Sequence, residues 1–132
     1  MKIVVLIARI LLGLVFLVFG LNGFLMFLPM GPMPTGLAGQ FVTALLQSRY
    51  VLVVSAFEVA GGALLLVNRY VPLGLTILGP IIVNIFLYHL LLFHMGVGIA
   101  IVVAILWGIV AFYHRQSFAG LFVQKAPLAH LS

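Results

Sequence analysis

Glu58 is the residue of this sequence that could most clearly do chemistry inside a membrane. The chain of 132 residues has 6 Lys and Arg residues and 1 acidic residue, which is Glu58 in the middle of an apolar stretch. A charge at bilayer depth costs about 3 kcal/mol, so it normally persists only where it is paired or lines a pathway. The sequence therefore predicts a partner for Glu58, or a ligand or proton site around it.

Arg9 and Asn84 are the polar residues best placed to meet Glu58. A helix rises about 1.5 Å per residue, which puts Glu58 and Asn84 near the middle of their apolar stretches and Arg9 about 10 Å from the middle of its own. A long Arg side chain could cover much of that gap. We therefore expect an ion pair between Arg9 and Glu58, with Asn84 as a hydrogen-bond partner.

A structural role is the alternative for these residues. A buried ion pair can fix the register of two helices without doing chemistry. Arg9 could instead extend its side chain to the headgroups, leaving Glu58 protonated and neutral. Both readings, structural pair and ligand or proton site, stay open.

A second polar group falls toward the end of the helices opposite Arg9, where Asn22, Tyr88 and His89 could form part of the same ligand site. The histidines do not converge on a metal, because His89 and His94 lie about 140° apart around a helix. His114 belongs to the opposite membrane face. With 0 Cys in the chain, thiolate zinc and iron–sulfur sites are also excluded. No metal is predicted.

The composition excludes a soluble protein of ordinary type. The chain is 66% hydrophobic and 5% charged, against roughly half apolar and a quarter charged in soluble domains. It is predicted to be one integral membrane domain over residues 1–132, with membrane lipids around it. The net charge of +5 comes from scattered basic residues, which indicates topology signals rather than a nucleic-acid surface.

The elements that must position these residues are four apolar runs, each close to the roughly 20 residues that span a membrane. Short links between the later runs favour antiparallel neighbours. The expected fold is all-α, a four-transmembrane-helix antiparallel bundle with an amphipathic helix in the first, outer loop and a cytoplasmic tail. The transmembrane helices are predicted at about 3–28, 51–67, 71–93 and 97–113, the interfacial helix at about 37–48 and the tail at 114–132.

Orientation and helix faces follow from residue type. Lys and Arg prefer cytoplasmic loops, and all of them but Arg49 fall on one side if both termini are cytoplasmic.

Small residues allow close helix contact. Three seams are predicted: Gly13, Gly20 and Gly23 with Arg9; Ser55, Gly62 and Leu65 with Glu58; and Ala100, Ala104, Gly108 and Ala111.

Four sequence blocks in this order resemble the DoxX family of small bacterial membrane proteins. They are ARILLGLVFLVFGLNGF from Ala8, PMGPMP from Pro29, FEVAGGALLLVNRYVPLGL from Phe57 and GPIIVNIFLYHLLL from Gly79. The likeness runs from about residue 8 to residue 122. It implies a four-helix domain in the bacterial inner membrane. The recurrent polar or glycine positions of the family correspond here to Arg9, Asn22, Glu58, Gly62, Arg69, Asn84 and His89.

The resemblance implies quinone-linked redox work, because related proteins include a subunit of a thiosulfate to quinone oxidoreductase and members of oxidative-stress complexes. The chain would then be an accessory or membrane subunit that binds a quinone non-covalently through His89, Asn22 or Tyr88. Glu58 would relay protons, and a partner protein would supply the electron donor. Whether the chain is itself an enzyme stays open.

Two other functions remain open. The chain could be a non-catalytic scaffold or assembly factor, whose glycine faces pack against each other. It could also be a small proton-coupled transporter that uses Glu58, and such a small protein would need to form a homo-oligomer for alternating access.

Overall fold

The structure is a computed structural model that describes residues 2–28 and 32–125. Every regular element in these ranges is helical, so the all-α prediction is confirmed. A π-helical segment, here called the π-turn, continues α4. The elements in chain order are α1 (Lys2–Leu25), α2 (Gly36–Gln47), α3 (Tyr50–Val67), α4 (Val71–Leu87), the π-turn (Tyr88–Leu92), α5 (Val97–Tyr113) and a 3-10 helix (Arg115–Phe122).

Three of these helices are long and apolar enough to cross a membrane: α1, α3, and α4 together with its π-turn. α5 and the 3-10 helix form a fourth candidate only as a broken span, because they are bent by 83° at their junction. These helices expose many large apolar side chains, as lipid-facing surfaces do. The chain is therefore a membrane protein, as its composition predicts.

α1 ends earlier than predicted, at Leu25 rather than Leu28. Met26 has a φ of 51°, in the left-handed region that ends a helix. The Asn22 side chain then accepts a hydrogen bond from Leu28 N at 2.8 Å. Asn22 thus satisfies the backbone of the segment that leaves α1.

The link between α3 and α4 is a tight turn at residues 68–70. Asn68 and Tyr70 both adopt left-handed backbone conformations, with φ of 56° and 54°. The N–H groups of Asn68 and Arg69 donate to the last carbonyls of α3. Pro72 follows in the first turn of α4, where its missing N–H has no partner to lose. The turn reverses the chain and makes α3 and α4 neighbours.

The helices pack in pairs, with α1 against α3 and α5, and α4 also against α3 and α5. The smaller α2 lies against α3 and the π-turn. Side chains from α1, α3, α4 and α5 meet in one apolar core. Its fully buried members include Leu12, Phe16, Leu65, Leu75, Leu78 and Val110.

The contact of α1 with α3 is the closest in the molecule. A methyl group built on Gly62 would lie 2.7 Å from Leu17 N and 2.8 Å from Gly13 O. One on Gly20 would lie 2.8 Å from Val59 N. Contacts move backward along α3 as they move forward along α1, so the two helices run in opposite directions. The predicted small-residue seams of α1 and α3 are confirmed, and we call this contact the α1–α3 seam.

The small-residue seam predicted on α5 is only partly packed. Ala100 is buried, and Ala104 and Ala111 pack against the core. Gly108 differs, since a methyl group built on it would have nothing within 4 Å. The prediction is wrong at Gly108 because the facing part of α1 carries Val4 and Val5 rather than glycine, and these residues line a groove with it.

The predicted cytoplasmic tail starts as the 3-10 helix. Phe118 packs against the core, whereas Leu121 and Phe122 are 72% and 85% exposed. The end of the tail beyond Pro127, where fraying is predicted, lies outside the described residues.

Candidate functional site

Arg9 is buried, with 9% of its surface exposed, and its partners are backbone carbonyls. Its Nη1 donates to Leu65 O and, at 3.4 Å, to Leu66 O. Both carbonyls belong to the last turn of α3, where the helix supplies fewer N–H donors than in its interior, and Leu65 O also accepts from Asn68 N. That end of a helix also carries partial negative charge. Arg9 of α1 therefore caps the C-terminus of α3.

The predicted ion pair between Arg9 and Glu58 is not formed. Glu58 lies on the same helix as Leu65 but seven residues before it, or about 10 Å along the axis. The carbonyls of α3 lie closer to Arg9 and at its own depth. The guanidinium is therefore satisfied by backbone at that end of the molecule.

Glu58 lies in α3, half-buried, with its Cβ beside Gly20 of α1. A methyl group built on Gly20 would lie 3.0 Å from Glu58 Cβ. Within residues 2–28 and 32–125 no charged side chain is paired with this carboxyl group. Glu58 thus lies beside the α1–α3 seam without a charged partner among the described residues.

Asn84 does not meet Glu58 either. Its side chain is exposed, and its Nδ2 donates to Pro80 O of the same helix at 2.8 Å. Short amides commonly bond to a carbonyl one turn back. The predicted hydrogen bond between Asn84 and Glu58 is therefore replaced by a bond within α4.

The π-turn brings together two of the predicted site residues, Tyr88 and His89. Tyr88 stacks on Phe93 with ring centroids 6.0 Å apart and planes at 22°. The His89 ring meets Tyr88 edge-on at 5.1 Å. The ring of Phe41, from α2, lies 5.7 Å from the Tyr88 ring between centroids. We call these four residues the aromatic cluster.

Sequence reasoning missed Phe41 and Phe93 as members of the aromatic cluster. Tyr88 and Phe93 are five residues apart, the spacing that a π-helical turn stacks, so the spacing was a usable signal. Phe41 lies 47 positions before Tyr88, and nothing local connects the two.

His89 is held in one orientation by the loop that follows the π-turn. Its Nδ1 is 2.5 Å from Met95 O, and its ring lies against Gly96, where an added methyl group would be 3.1 Å from Cε1. A carbonyl can only accept, so Nδ1 carries a proton. In the imidazole form of the ring with that proton alone, Nε2 is an acceptor.

An open groove of about 530 Å³ with a mixed polar and apolar lining lies on α2. Gln40, Thr43 and Gln47 line it, and the sequence places these residues on one helix face. The groove offers amide and hydroxyl groups that can donate and accept hydrogen bonds. It lies on the segment that also supplies Phe41 to the aromatic cluster.

His114 stands where α5 meets the 3-10 helix. Burial first, and the positive charge of Arg9 second, hold the pKa of His114 below its ordinary value. His114 thus lies at the same end of the molecule as the Arg9 cap. In the part of the chain that the structure describes, no three metal-ligating side chains come together.

The predicted single site therefore divides into separate environments. Arg9, Asn22 and Asn84 each bond to backbone, Glu58 stands alone beside the α1–α3 seam, and Tyr88 and His89 share the aromatic cluster. Comparison with models of known protein families, with curated proteins and with solved structures finds no match to this chain.

Proposed function

We propose that the chain is a DoxX-like, four-helix antiparallel bundle of the bacterial inner membrane with both termini cytoplasmic. α2 would lie in the outer interface, and α5 would be the fourth span. Two observations support this: the pairwise packing of α1, α3, α4 and α5 around one core, and the opposite directions of α1 and α3. The position of five basic residues on the side of the termini supports the orientation.

Within this bundle, we propose that the chain serves as a membrane subunit or accessory of a quinone-linked oxidoreductase system. The observation that carries the proposal is the aromatic cluster. A quinone head group is a flat ring with polar atoms at its rim, and aromatic side chains favour offset stacking on such rings. Ligand sites of this kind combine apolar walls with a few placed polar groups.

The two polar tips of the cluster suit different atoms of the ligand. The Tyr88 hydroxyl can donate to a quinone carbonyl, while His89 Nε2 is an acceptor and can take a hydrogen bond from the hydroxyl of a quinol. The site therefore favours a ring that carries at least one hydroxyl group. Electrons would pass to or from a partner protein.

The test measures the quinone and quinol that co-purify per protomer with the wild type, Tyr88→Phe and His89→Gln. Both variants should lose most of the bound ligand. When ligand is added to wild-type protein that has been stripped of it, reduced quinone should rebind better than oxidised quinone. Tyr70→Phe is the matched control, because Tyr70 is an exposed tyrosine in the α3–α4 link. Equal quinone content in all four proteins would contradict the proposal.

A scaffold or assembly role is the second candidate, and the α1–α3 seam favours it. Arg9 and the glycines of α1 and α3 all serve packing in the structure. Glu58→Gln separates the two roles: a proton relay to the quinone predicts loss of turnover, whereas a scaffold role predicts a change in stability alone. A proton-coupled transporter would lose uptake in vesicles upon the same substitution while keeping its quinone content.

A further inference from the structure

An apolar groove of about 410 Å³ lies between the start of α1 and the end of α5. Its lining is aliphatic and aromatic, and it is separate from the aromatic cluster at the opposite end of the helices. The lining residues are Val4 and Val5 of α1 with Ile105, Gly108, Ile109, Phe112 and Tyr113 of α5.

Gly108 forms the floor of this groove. A methyl group built there would meet nothing within 4 Å, so the groove exists because the position lacks a side chain. Ile105 and Phe112 stand one turn before and after it and are exposed. The result is a partly open apolar groove along α5.

A cation lies against Phe112, one of the residues that line the groove. The Arg115 guanidinium lies 4.4 Å from the centroid of the Phe112 ring, and its Nη1 donates to Phe112 O at 2.9 Å. Phe112 thus lines the groove and also orients Arg115. A guanidinium has five N–H donors, so several remain for an anion. Lys2 precedes Val4, which lines the groove from α1, by two residues.

We propose that this groove binds one anionic phospholipid, with an acyl chain over Gly108 and the phosphate at Arg115. An apolar groove beside a cation suits the acyl chain and the phosphate of one lipid anion. Guanidinium groups bind phosphate through paired hydrogen bonds, and basic pockets between membrane helices favour anionic headgroups. The chain, with a net charge of +5, would also gain charge balance. The inference rests on the proposed membrane embedding and not on the quinone proposal.

The test uses Trp107, the single tryptophan of the chain, which precedes Gly108. The protein is placed in nanodiscs with dibrominated phosphatidylglycerol or dibrominated phosphatidylcholine, whose bromines quench tryptophan fluorescence. We expect at least threefold preferential quenching by phosphatidylglycerol. Arg115→Gln should abolish this preference, and Arg115→Lys should keep part of it.

Gly108→Leu tests the acyl site itself. The space around Gly108 is open, so the variant should fold while its side chain fills the groove. Phospholipid retained per protomer after detergent washing, counted by mass spectrometry, should fall from about one anionic lipid to none. Gly98→Leu is the matched control, since Gly98 is also on α5 with nothing near its added Cβ and lies outside the groove. It should retain lipid like the wild type.

Three results would overturn the proposal. One is equal quenching by both lipids in the wild type, and another is unchanged lipid content in Gly108→Leu. The third is a wild-type dimer that Gly108→Leu dissociates without changing lipid content, which would assign the groove to a second copy of the chain. Quinone content is measured on the same samples and should not change in Gly108→Leu, so the two proposals fail separately.

Discussion

α1 forms two contacts of opposite character, the α1–α3 seam and the groove beside α5. Both involve a glycine on the facing helix. Gly62 of α3 meets the backbone of α1, whereas Gly108 of α5 meets open space. The difference arises on α1: the part opposite Gly62 carries Gly13, and the part opposite Gly108 carries Val4 and Val5.

The comparison shows that a glycine in a membrane helix has no fixed meaning by itself. Two backbones approach closely only where both helices lack bulk at the same level. A glycine that faces large side chains instead leaves a groove between the two helices, because those side chains hold the backbones apart. The first arrangement stabilises the fold, and the second leaves a surface for a small ligand.

The largest expected effect is that of Gly62→Ala. The new methyl group would lie within 3 Å of backbone atoms of Leu17 and Gly13, and a helix backbone cannot move aside as a side chain can. We expect a loss of about 3 kcal/mol in the free energy of unfolding, measured by unfolding in mixed micelles. A loss no larger than that of Gly108→Ala would break the comparison of the two contacts.

Arg9→Met comes next. It leaves the terminal carbonyls of α3 without their buried donor, which should cost about 2 kcal/mol. Hydrogen exchange should accelerate at the N–H of Asn68, which shares Leu65 O with Arg9, and at the N–H of Arg69, which donates to the adjacent Leu64 O. Arg69→Met is the control, because Arg69 is exposed in the α3–α4 link. Equal losses in the two variants would argue against the cap.

Gly23→Ala tests the register of the seam at its other end. The added methyl group would collide with the Ser55 side chain. Removing that side chain in Gly23→Ala/Ser55→Gly should therefore recover about 1 kcal/mol relative to Gly23→Ala alone, as coupled neighbours do. A double variant whose loss is the sum of the two single losses would show that the residues do not touch.

Gly108→Ala should have a small effect of the opposite sign. Alanine lowers the entropy cost of forming a helix, by roughly 0.5–1 kcal/mol relative to glycine, and nothing in the groove opposes its methyl group. We expect unchanged or slightly raised stability in the same unfolding assay. A clear destabilisation would mean that α5 packs more closely there than the structure indicates.

The smallest effect concerns the pH dependence contributed by His114. Its pKa is lowered in the folded protein by burial and by Arg9, so the unfolded chain binds a proton more readily. His114 therefore has no effect on the free energy of unfolding well above pH 6.5, its ordinary pKa. The free energy of unfolding falls as the pH drops below that value, because the unfolded chain then binds the proton first. His114→Gln should flatten the unfolding free energy between pH 7 and about pH 5. An unchanged slope would contradict this assignment.

The sequence predicted the helices well, because length and apolar runs determine them. α5 begins and ends where predicted, and the glycine faces of α1 and α3 meet. The partner of Arg9 was not predicted, because it is a backbone carbonyl and every residue has one. The prediction failed at Gly108 because the surroundings of a glycine depend on the opposing helix.

The candidate site was less predictable than the fold. The sequence indicated Tyr88 and His89, but the cluster needs Phe41 from α2, whose position depends on how the loop folds back. The isolated charge of Glu58 predicted a partner, yet within residues 2–28 and 32–125 no charged side chain is paired with it. Charge counting finds unusual residues, and tertiary packing decides what each of them meets.

The Arg9 cap has a consequence for how the protein is made. Arg9 lies in α1, the first of these helices to be synthesised, and its acceptor at Leu65 is 56 residues further along the chain. When α1 leaves the ribosome, the carbonyls that satisfy the guanidinium do not yet exist. Arg9 therefore gains its buried acceptors only after α3 has been made and packs against α1. The first helix reaches its final contacts only with the third.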